Sequence, residues 1–271
     1  MDLGLAGATV CVQGGTKGMG RAAAEAFARD GARVAVLARG QAGIDETVTA
    51  LEALGSPEAV GVSTDLLQTA SVEAAFAKIG DRFDGRLNTL VNAAGPASGG
   101  LRPFYEIPDE EWIETFDMGA LSAVRCTRAA LPLLRAADWS RVVNVSAHST
   151  KRQTSTLSAY TASKAAMTSV SKNMSLALGP EEILVNTVSP GSFASEGFRA
   201  AMAALPSERG LDPNDLYDCM RWIDEDFGHP AHLPRAGDPK EIGAVIAFVG
   251  SRVNSYMTGA NVNVDGGSDF T

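Results

Sequence analysis

The stretch ATVCVQGGTKGMGRAAAEAFARDGARVAVLARG, residues 8–40, decides how this chain is read. Ala8 to Gln13 is a short apolar run of β-prone residues that stops at a cluster of glycines. From Arg21 to Arg29 the pattern becomes alanine-rich and helical, and it ends at Asp30-Gly31. Arg33 to Ala38 (RVAVLA) is a second apolar strand. Strand, glycine turn, helix and strand make a βαβ unit. Its strands read as continuous apolar runs, as required of a parallel sheet covered by helices on both faces.

Outward from this unit the alternation continues. The pattern predicts helices over Ile44 to Leu54, Ala70 to Ile79, Asp109 to Ala136, Ser158 to Leu178 and Lys240 to Val249. Between them it predicts strands over Ala59 to Ser63, Leu87 to Val91, Arg141 to Val145, Ile183 to Val188 and Asn261 to Val264. Right-handed crossovers then give an α/β fold, a Rossmann-type doubly wound parallel sheet of about seven strands with helices on both faces. One segment, residues 192–237, breaks the alternation; it is rich in Pro, Gly, Met and acidic residues, and so long a connection is expected to be a lid. With no internal repeat and no linker, residues 1–271 are expected to form a single dinucleotide-binding domain carrying that lid.

Composition narrows the function. Across 271 residues, 45% are hydrophobic and 20% charged, as in a globular enzyme. A formal net charge of −9 argues against a nucleic-acid partner, since phosphate backbones call for a basic surface. No run approaches the roughly 18 apolar residues of a membrane span, and no secretory signal opens the chain. Cys11, Cys126 and Cys219 are odd in number and far apart, which suits a reducing cytoplasm rather than a disulfide framework.

The turn GGTKGMG offers candidate cofactor contacts at Gly14, Thr16, Lys17, Gly18 and Met19, where backbone N–H groups and a helix N-terminus can approach a pyrophosphate. An NAD site would place Asp or Glu at the end of the second strand. Here Ala38 is followed by Arg39, and Lys17 stands in the turn; two cations in place of a carboxylate suit the 2′-phosphate of NADP (NADPH). Asp65 and Leu66, after the third strand, are candidates for the adenine, with a turn or capping aspartate as the plainer alternative. Asn92, Ala93, Ala94 and Gly95 follow the fourth strand, where small residues let the backbone run beneath a ribose. Tyr160 and Lys164 lie four apart on a predicted helix and so share a face. A phenol titrates near 10 and works as an acid–base group only with a cation beside it.

In their order and spacing these motifs resemble the short-chain dehydrogenase/reductase family, and among its members the 3-oxoacyl-acyl-carrier-protein reductases. The resemblance runs through the glycine turn, Asp65, NAAG at 92–95, YTASK at 160–164, NTVSPG at 186–191 and the C-terminal GDPKEIGAVIAFV…YMTGANVNVDGG at 237–267. It implies hydride transfer between NADP(H) and a ketone or secondary alcohol. In that transfer Tyr160 is the general acid or base, and Lys164 binds the nicotinamide ribose and lowers the tyrosine pKa. Pro190, Gly191, Val188 and Ser195 are then expected at the nicotinamide end. It also implies a homotetramer built on the helices around Trp112 to Ala136 and Ser158 to Leu178; small residues there such as Ala120, Ala123, Ala130 and Ala165 would permit close packing between subunits, and would equally suit a helix facing the sheet.

Two positions depart from that pattern. The family's usual serine, thirteen residues before the tyrosine, is Ala147, and its helix asparagine is Gly119. Ser146 replaces the serine only if a bulge re-aims it, because neighbouring strand residues face opposite ways; His148 and Ser149 are further candidates. Losing one preorganised donor typically costs on the order of 10²–10³ in rate. A catalytically weak NADP-binding regulatory or scaffold protein is therefore the competing reading. His148, His229 and His232 lack the ligand order of a metal site, and no metal is expected. Met202, Leu205, Leu211, Tyr217, Met220, Trp222 and Phe227 of the lid are expected either to close an apolar pocket or to pack against the core or a partner subunit.

Overall fold

In the computed structural model, residues 2–96, 102–228 and 230–268 are described. Seven strands among them form one parallel sheet: β1 (Thr9–Gln13), β2 (Arg33–Ala38), β3 (Ala59–Ser63), β4 (Thr89–Asn92), β5 (Ser140–Val145), β6 (Ile183–Pro190) and β7 (Asn261–Val264). Their order is β3-β2-β1-β4-β5-β6-β7. The order reverses direction between β1 and β4, so a crevice opens at the carboxyl ends of those two strands, where such sheets bind ligands.

Successive residues of each strand serve opposite faces. Val10, Val12, Val34 and Val36 pack on one side against α1 (Gly18–Arg29) and α9 (Pro239–Val249), through Phe27, Ile242 and Ile246. Cys11, Ala35, Leu37 and Leu90 pack on the other against α3 (Thr69–Arg82) and α5 (Ser122–Ala136), through Phe76, Ile79 and Leu134. α2 (Gln41–Ala53) completes the first face and α6 (Ser158–Leu178) the second, anchored by Leu51 and Leu178 respectively.

Two expectations change. The helix foreseen from Asp109 to Ala136 is divided into α4 (Asp109–Phe116), a π-helical turn (Asp117–Leu121) and α5. Gly119 sits in that turn, and a Cβ there would lie 2.7 Å from Ser163 Cβ on α6, so the missing side chain is what allows the two helices to meet. The segment at 192–237 is largely helical: α7 (Glu196–Ala203) and α8 (Leu216–Phe227) surround a separate apolar cluster of Met202, Cys219, Met220 and Trp222. Asp215 caps α8 by accepting from Tyr217 N and Asp218 N, and Gly228 ends it in the left-handed region at φ 63°. No described helix is long and apolar enough to cross a membrane.

Candidate active site

The glycine turn and the turn after β4 meet at the switch point. Gly14 has φ 75°, and a Cβ on it would lie 2.6 Å from Ala94 N, so only glycine lets the two backbones approach this closely. Gln13, absent from the expected site, fastens the pair: its Oε1 accepts from Ala94 N at 2.8 Å, and its Nε2 donates to Ser122 Oγ at 3.4 Å. A polar residue closing an otherwise apolar strand was its one signal in the sequence. α1 starts at Gly18, so its free N–H groups face the crevice, and a Cβ on Gly18 would be 3.5 Å from Ser195 Cβ. Thr16 is half-buried in the turn beside them.

Lys17 and Arg39 are exposed, and neither side chain makes an ion pair among the described residues. Both therefore present charge at the rim of the crevice, a donor set that fits a nucleotide 2′-phosphate. Asp65 is half-buried, and its Oδ1 accepts from Leu67 N at 3.0 Å, so one oxygen closes a turn; Leu66 is buried against the core. The Asn92 amide turns inward, donating to Asn144 Oδ1 at 2.8 Å and Thr127 Oγ1 at 3.2 Å. It braces the turn from within, leaving Ala93, Ala94 and Gly95 as the backbone that can face a ribose.

α6 carries the tyrosine and the lysine. Lys164 is 3% exposed and its Nζ donates to Val145 O at 2.8 Å. The position a Cβ would take on Gly95 is 3.1 Å from that nitrogen, which places the amine against the NAAG turn. Burial lowers the Lys164 amine from 10.5 to about 8. Burial likewise pushes the Tyr160 phenol up to about 12. Desolvation is the cause at both groups.

Tyr160 lines a cavity of about 590 Å³. Met19 from the start of α1 and Gly191, Ser192 and Ser195 after β6 line it too, so the crevice and the cavity are continuous. Ser195 caps α7, accepting from Phe198 N at 3.3 Å; Val188 is fully buried in β6. Pro190 is buried, and its carbonyl lies 3.1 Å from His148 Nδ1.

Ser146 does not reach this cavity. Pairing with β6 runs without a bulge through Val145 and Val188, and Ser146 N donates to Val188 O at 2.8 Å. The Ser146 hydroxyl instead donates to Lys164 O at 3.0 Å and lies 2.8 Å from Thr168 Oγ1. Absence of the bulge that would re-aim it is the physical reason. His148 and Ser149, in a 3-10 turn at His148–Thr150, do line the cavity. Thr161 Oγ1 donates weakly to Ser149 Oγ at 3.5 Å, a bond that leaves the Ser149 proton uncommitted.

Of the residues singled out in the segment 192–237, Trp222 and Phe227 line the cavity, whereas Met202 and Met220 bury into that segment's own cluster, with Leu205 and Leu211 packed on it. Tyr217 is exposed. Phe198 and Ile223, not foreseen, join the lining; Phe198 meets Trp222 edge-on at 4.9 Å. The signal for Ile223 was its place on α8 one turn before Phe227, interrupted by Asp224, Glu225 and Asp226; for Phe198 it was an apolar residue on the helical stretch after Ser195. Ala120, Ala123 and Ala130, which suited either a subunit contact or packing within the protomer, are buried within the protomer, while Ala165 is exposed. Among the described residues no three His, Cys, Asp or Glu are grouped to hold a metal, and His229 lies outside them.

A doubly wound sheet with a glycine turn at its switch point, opening into a cavity with a tyrosine wall, defines the scaffold of a nucleotide-dependent oxidoreductase. A family model described as Enoyl-(Acyl carrier protein) reductase matches residues 14–269, and the chain belongs to this short-chain dehydrogenase/reductase family. It is 30% identical over 268 residues to the oxidoreductase YvrD of Bacillus subtilis, covering 98% of each chain. With the 3-oxoacyl-acyl-carrier-protein reductase FabG of Aquifex aeolicus it shares 29% identity over 269 residues, 98% of this chain and 99% of that one. Among solved structures, the L-sorbose reductase of Gluconobacter frateurii complexed with NADPH and L-sorbose superimposes with a TM-score of 0.90 at 25% identity, covering both chains fully. The RhlG/NADP active-site complex of Pseudomonas aeruginosa gives 0.85 at 27% identity over 98% of each chain.

Proposed function

We propose that this protein is an NADP(H)-dependent oxidoreductase that interconverts a ketone and a secondary alcohol, with Tyr160 as the proton donor or acceptor. The observation that carries this reading is the position of Tyr160 in the wall of an apolar cavity that continues into the crevice between Gly14, Ala94 and Gly191. NADPH, when bound, supplies the hydride. Lys17 and Arg39 would hold its 2′-phosphate, and the N-terminus of α1 its pyrophosphate. In the reducing direction the Tyr160 phenol gives its proton to the substrate oxygen, and the phenolate left behind is stabilised by the ammonium one turn along α6. Ser149 takes the orienting role that Ala147 leaves vacant: its hydroxyl lines the cavity and its proton is uncommitted. The aromatic lid excludes water and favours substrates larger and less polar than a short alcohol.

Ile113 and Leu121 on α4 and the turn after it, with Leu176 on α6, are exposed apolar residues on the helices through which a homotetramer would assemble. Three buried, unlinked cysteines accord with a cytoplasmic location.

Titration with NADPH and NADH by fluorescence, with turnover on a ketone panel, tests the reading. NADPH should bind more tightly, and Lys17→Ala with Arg39→Ala should remove that preference. Oxidation of NADPH by a ketone should vanish in Tyr160→Phe. Tight NADPH binding without turnover on any carbonyl would replace this reading with the cofactor-binding scaffold, which the buried methyl of Ala147 favours.

A further inference from the structure

Trp222 of α8 stands in the wall of the cavity that Tyr160 lines, and it is 8% exposed. Its indole is fixed from several sides. Phe198 meets it edge-on at 4.9 Å and Phe227 at 6.0 Å, both in the range of favourable aromatic pairs. The indole Nε1 donates to Asp226 Oδ2 at 2.7 Å, one turn further along the helix. Asp226 is in turn held from outside α8. Arg209, in the 3-10 turn Ser207–Arg209 between α7 and α8, donates from Nη1 to Oδ2 at 2.9 Å and from Nη2 to Oδ1 at 2.7 Å. That planar fork holds the Asp226 carboxyl below the usual carboxylate range, so it stays ionised and ready to accept. The one polar atom of the indole is thus committed to Asp226, and what the ring offers the cavity is hydrocarbon.

We propose that Trp222 is a specificity-determining residue of this site, selecting ketones and alcohols whose far end is a flat group of two aromatic or fused rings, and that Arg209 and Asp226 are the positioning residues that hold the indole for that task. This rests on the reductase reading above and names the substrate class of the same site. Size agrees with it. An apolar cavity of about 150 Å³ holds one benzene ring, and this one has about 590 Å³. After one such volume goes to a nicotinamide ring, space is left for two more rings and for the carbonyl that faces Tyr160 and Ser149. A flexible acyl chain is the other apolar group that fills such a space. It would give Phe198, Trp222 and Phe227 no ring to pack against, and it would surrender its rotational freedom on entry, whereas a rigid ring system has none to lose. The fixed indole therefore favours the rings.

The test has two arms. In the first, NADPH oxidation is followed with 2-acetylnaphthalene and with 2-dodecanone, methyl ketones of the same carbon count, and the ratio of their kcat/KM values is compared between wild type and variants. Wild type is expected to favour the naphthyl ketone by on the order of 10-fold. Trp222→Leu should bring that ratio to about one, and Trp222→Phe, which keeps a ring in the cluster and so preserves the test if the leucine variant does not fold, should fall between. Arg209→Met should lower the ratio by about threefold or more, through KM for the naphthyl ketone rather than kcat, and Arg209→Lys, which keeps a cation beside Asp226, should recover part of it. The second arm needs no turnover: calorimetric binding of 1-(2-naphthyl)ethanol and 2-dodecanol to the protein with NADPH, where both partners are reduced and no hydride can pass. The naphthyl alcohol should bind more tightly to wild type, and the margin should vanish in Trp222→Leu. Equal handling of the two ketones by wild type, or a preference for 2-dodecanone, would overturn the proposal. An equal loss on both ketones in the Trp222 variants would do the same, since that marks the indole as packing that only holds α8. An unchanged ratio in Arg209→Met would strike out the positioning role. Selective binding of the naphthyl alcohol without turnover of either ketone would leave Trp222 as the wall of an aromatic-binding cavity and sink the reductase reading instead.

Discussion

Replacing Lys164 by methionine should make this protein more stable and less active at once. The side chain is 3% exposed, and burial lowers its amine from 10.5 to about 8. That difference of roughly 2.5 units is, at 1.36 kcal/mol each, about 3 kcal/mol by which the fold disfavours the ammonium at neutral pH. Methionine keeps most of the length and none of the charge. Against the gain stands the hydrogen bond to Val145 O, a contribution of about 1 kcal/mol, so the net effect is about 2 kcal/mol in favour of the variant. The pH dependence separates this cause from better packing. The unfolded chain binds the lysine proton below about pH 10.5 and the folded chain only below about 8, so between these values the unfolded state holds more protons. Wild-type stability from this group therefore rises with pH across that window, and the penalty is complete below pH 8. Urea denaturation of both proteins at several pH values measures it: the advantage of Lys164→Met should be largest at and below neutral pH and fade as pH 10.5 is approached. A variant less stable than wild type at pH 7, or an advantage independent of pH, would refute the argument. Ketone reduction by Lys164→Met should fall by on the order of 10² or more, the usual loss when a charge aimed at a developing oxyanion is removed.

Two further outcomes follow from the same geometry. Ketone reduction by wild type should be flat through neutral pH and decline as pH rises past about 8, because Lys164 loses its charge there while Tyr160, held near 12, keeps its proton; a rate that stays flat to pH 10 would show that the ammonium is not needed. Gly119→Asn, which puts back the side chain expected in this family, should lower stability by about 1–3 kcal/mol through overpacking against Ser163, and adding Ser163→Gly should recover most of it in thermal melts.

How much of this was legible in the chain varies with the range of the interaction. The parallel sheet was, because its strands must be apolar on both faces, Val10, Val12, Val34 and Val36 on one and Cys11, Ala35, Leu37 and Leu90 on the other, and that constraint is local. The glycine turn, Tyr160 and Lys164 were legible for the same reason: backbone geometry at Gly14 and one helical turn between two side chains are properties of a few consecutive residues. Lys17 and Arg39 were legible as charges, and pairing of β1 with β2 sets them beyond the carboxyl ends of neighbouring strands.

What tertiary structure alone decided concerns directions and distances between segments far apart in sequence. Whether Ser146 faced the cavity depended on the register of β5 against β6, set by residues more than forty positions away. The pKa values of Tyr160 and Lys164 depended on desolvation, which comes from everything packed around α6 and has no signature in YTASK itself. The break between α4 and α5 followed from how closely α6 approaches Gly119. Arg152 reads in sequence as one more loop cation; only the fold brings it into the wall of the cavity, with its Nη1 donating to Pro230 O and Ser268 O. Composition and periodicity thus determined the scaffold and placed Tyr160 and Lys164 on one helix face, since these rest on local backbone geometry and on burial common to every strand. The lining of the cavity around Tyr160 was decided by the fold, since its side chains come from α6, from the turn after β6 and from α7 and α8, which lie far apart in sequence.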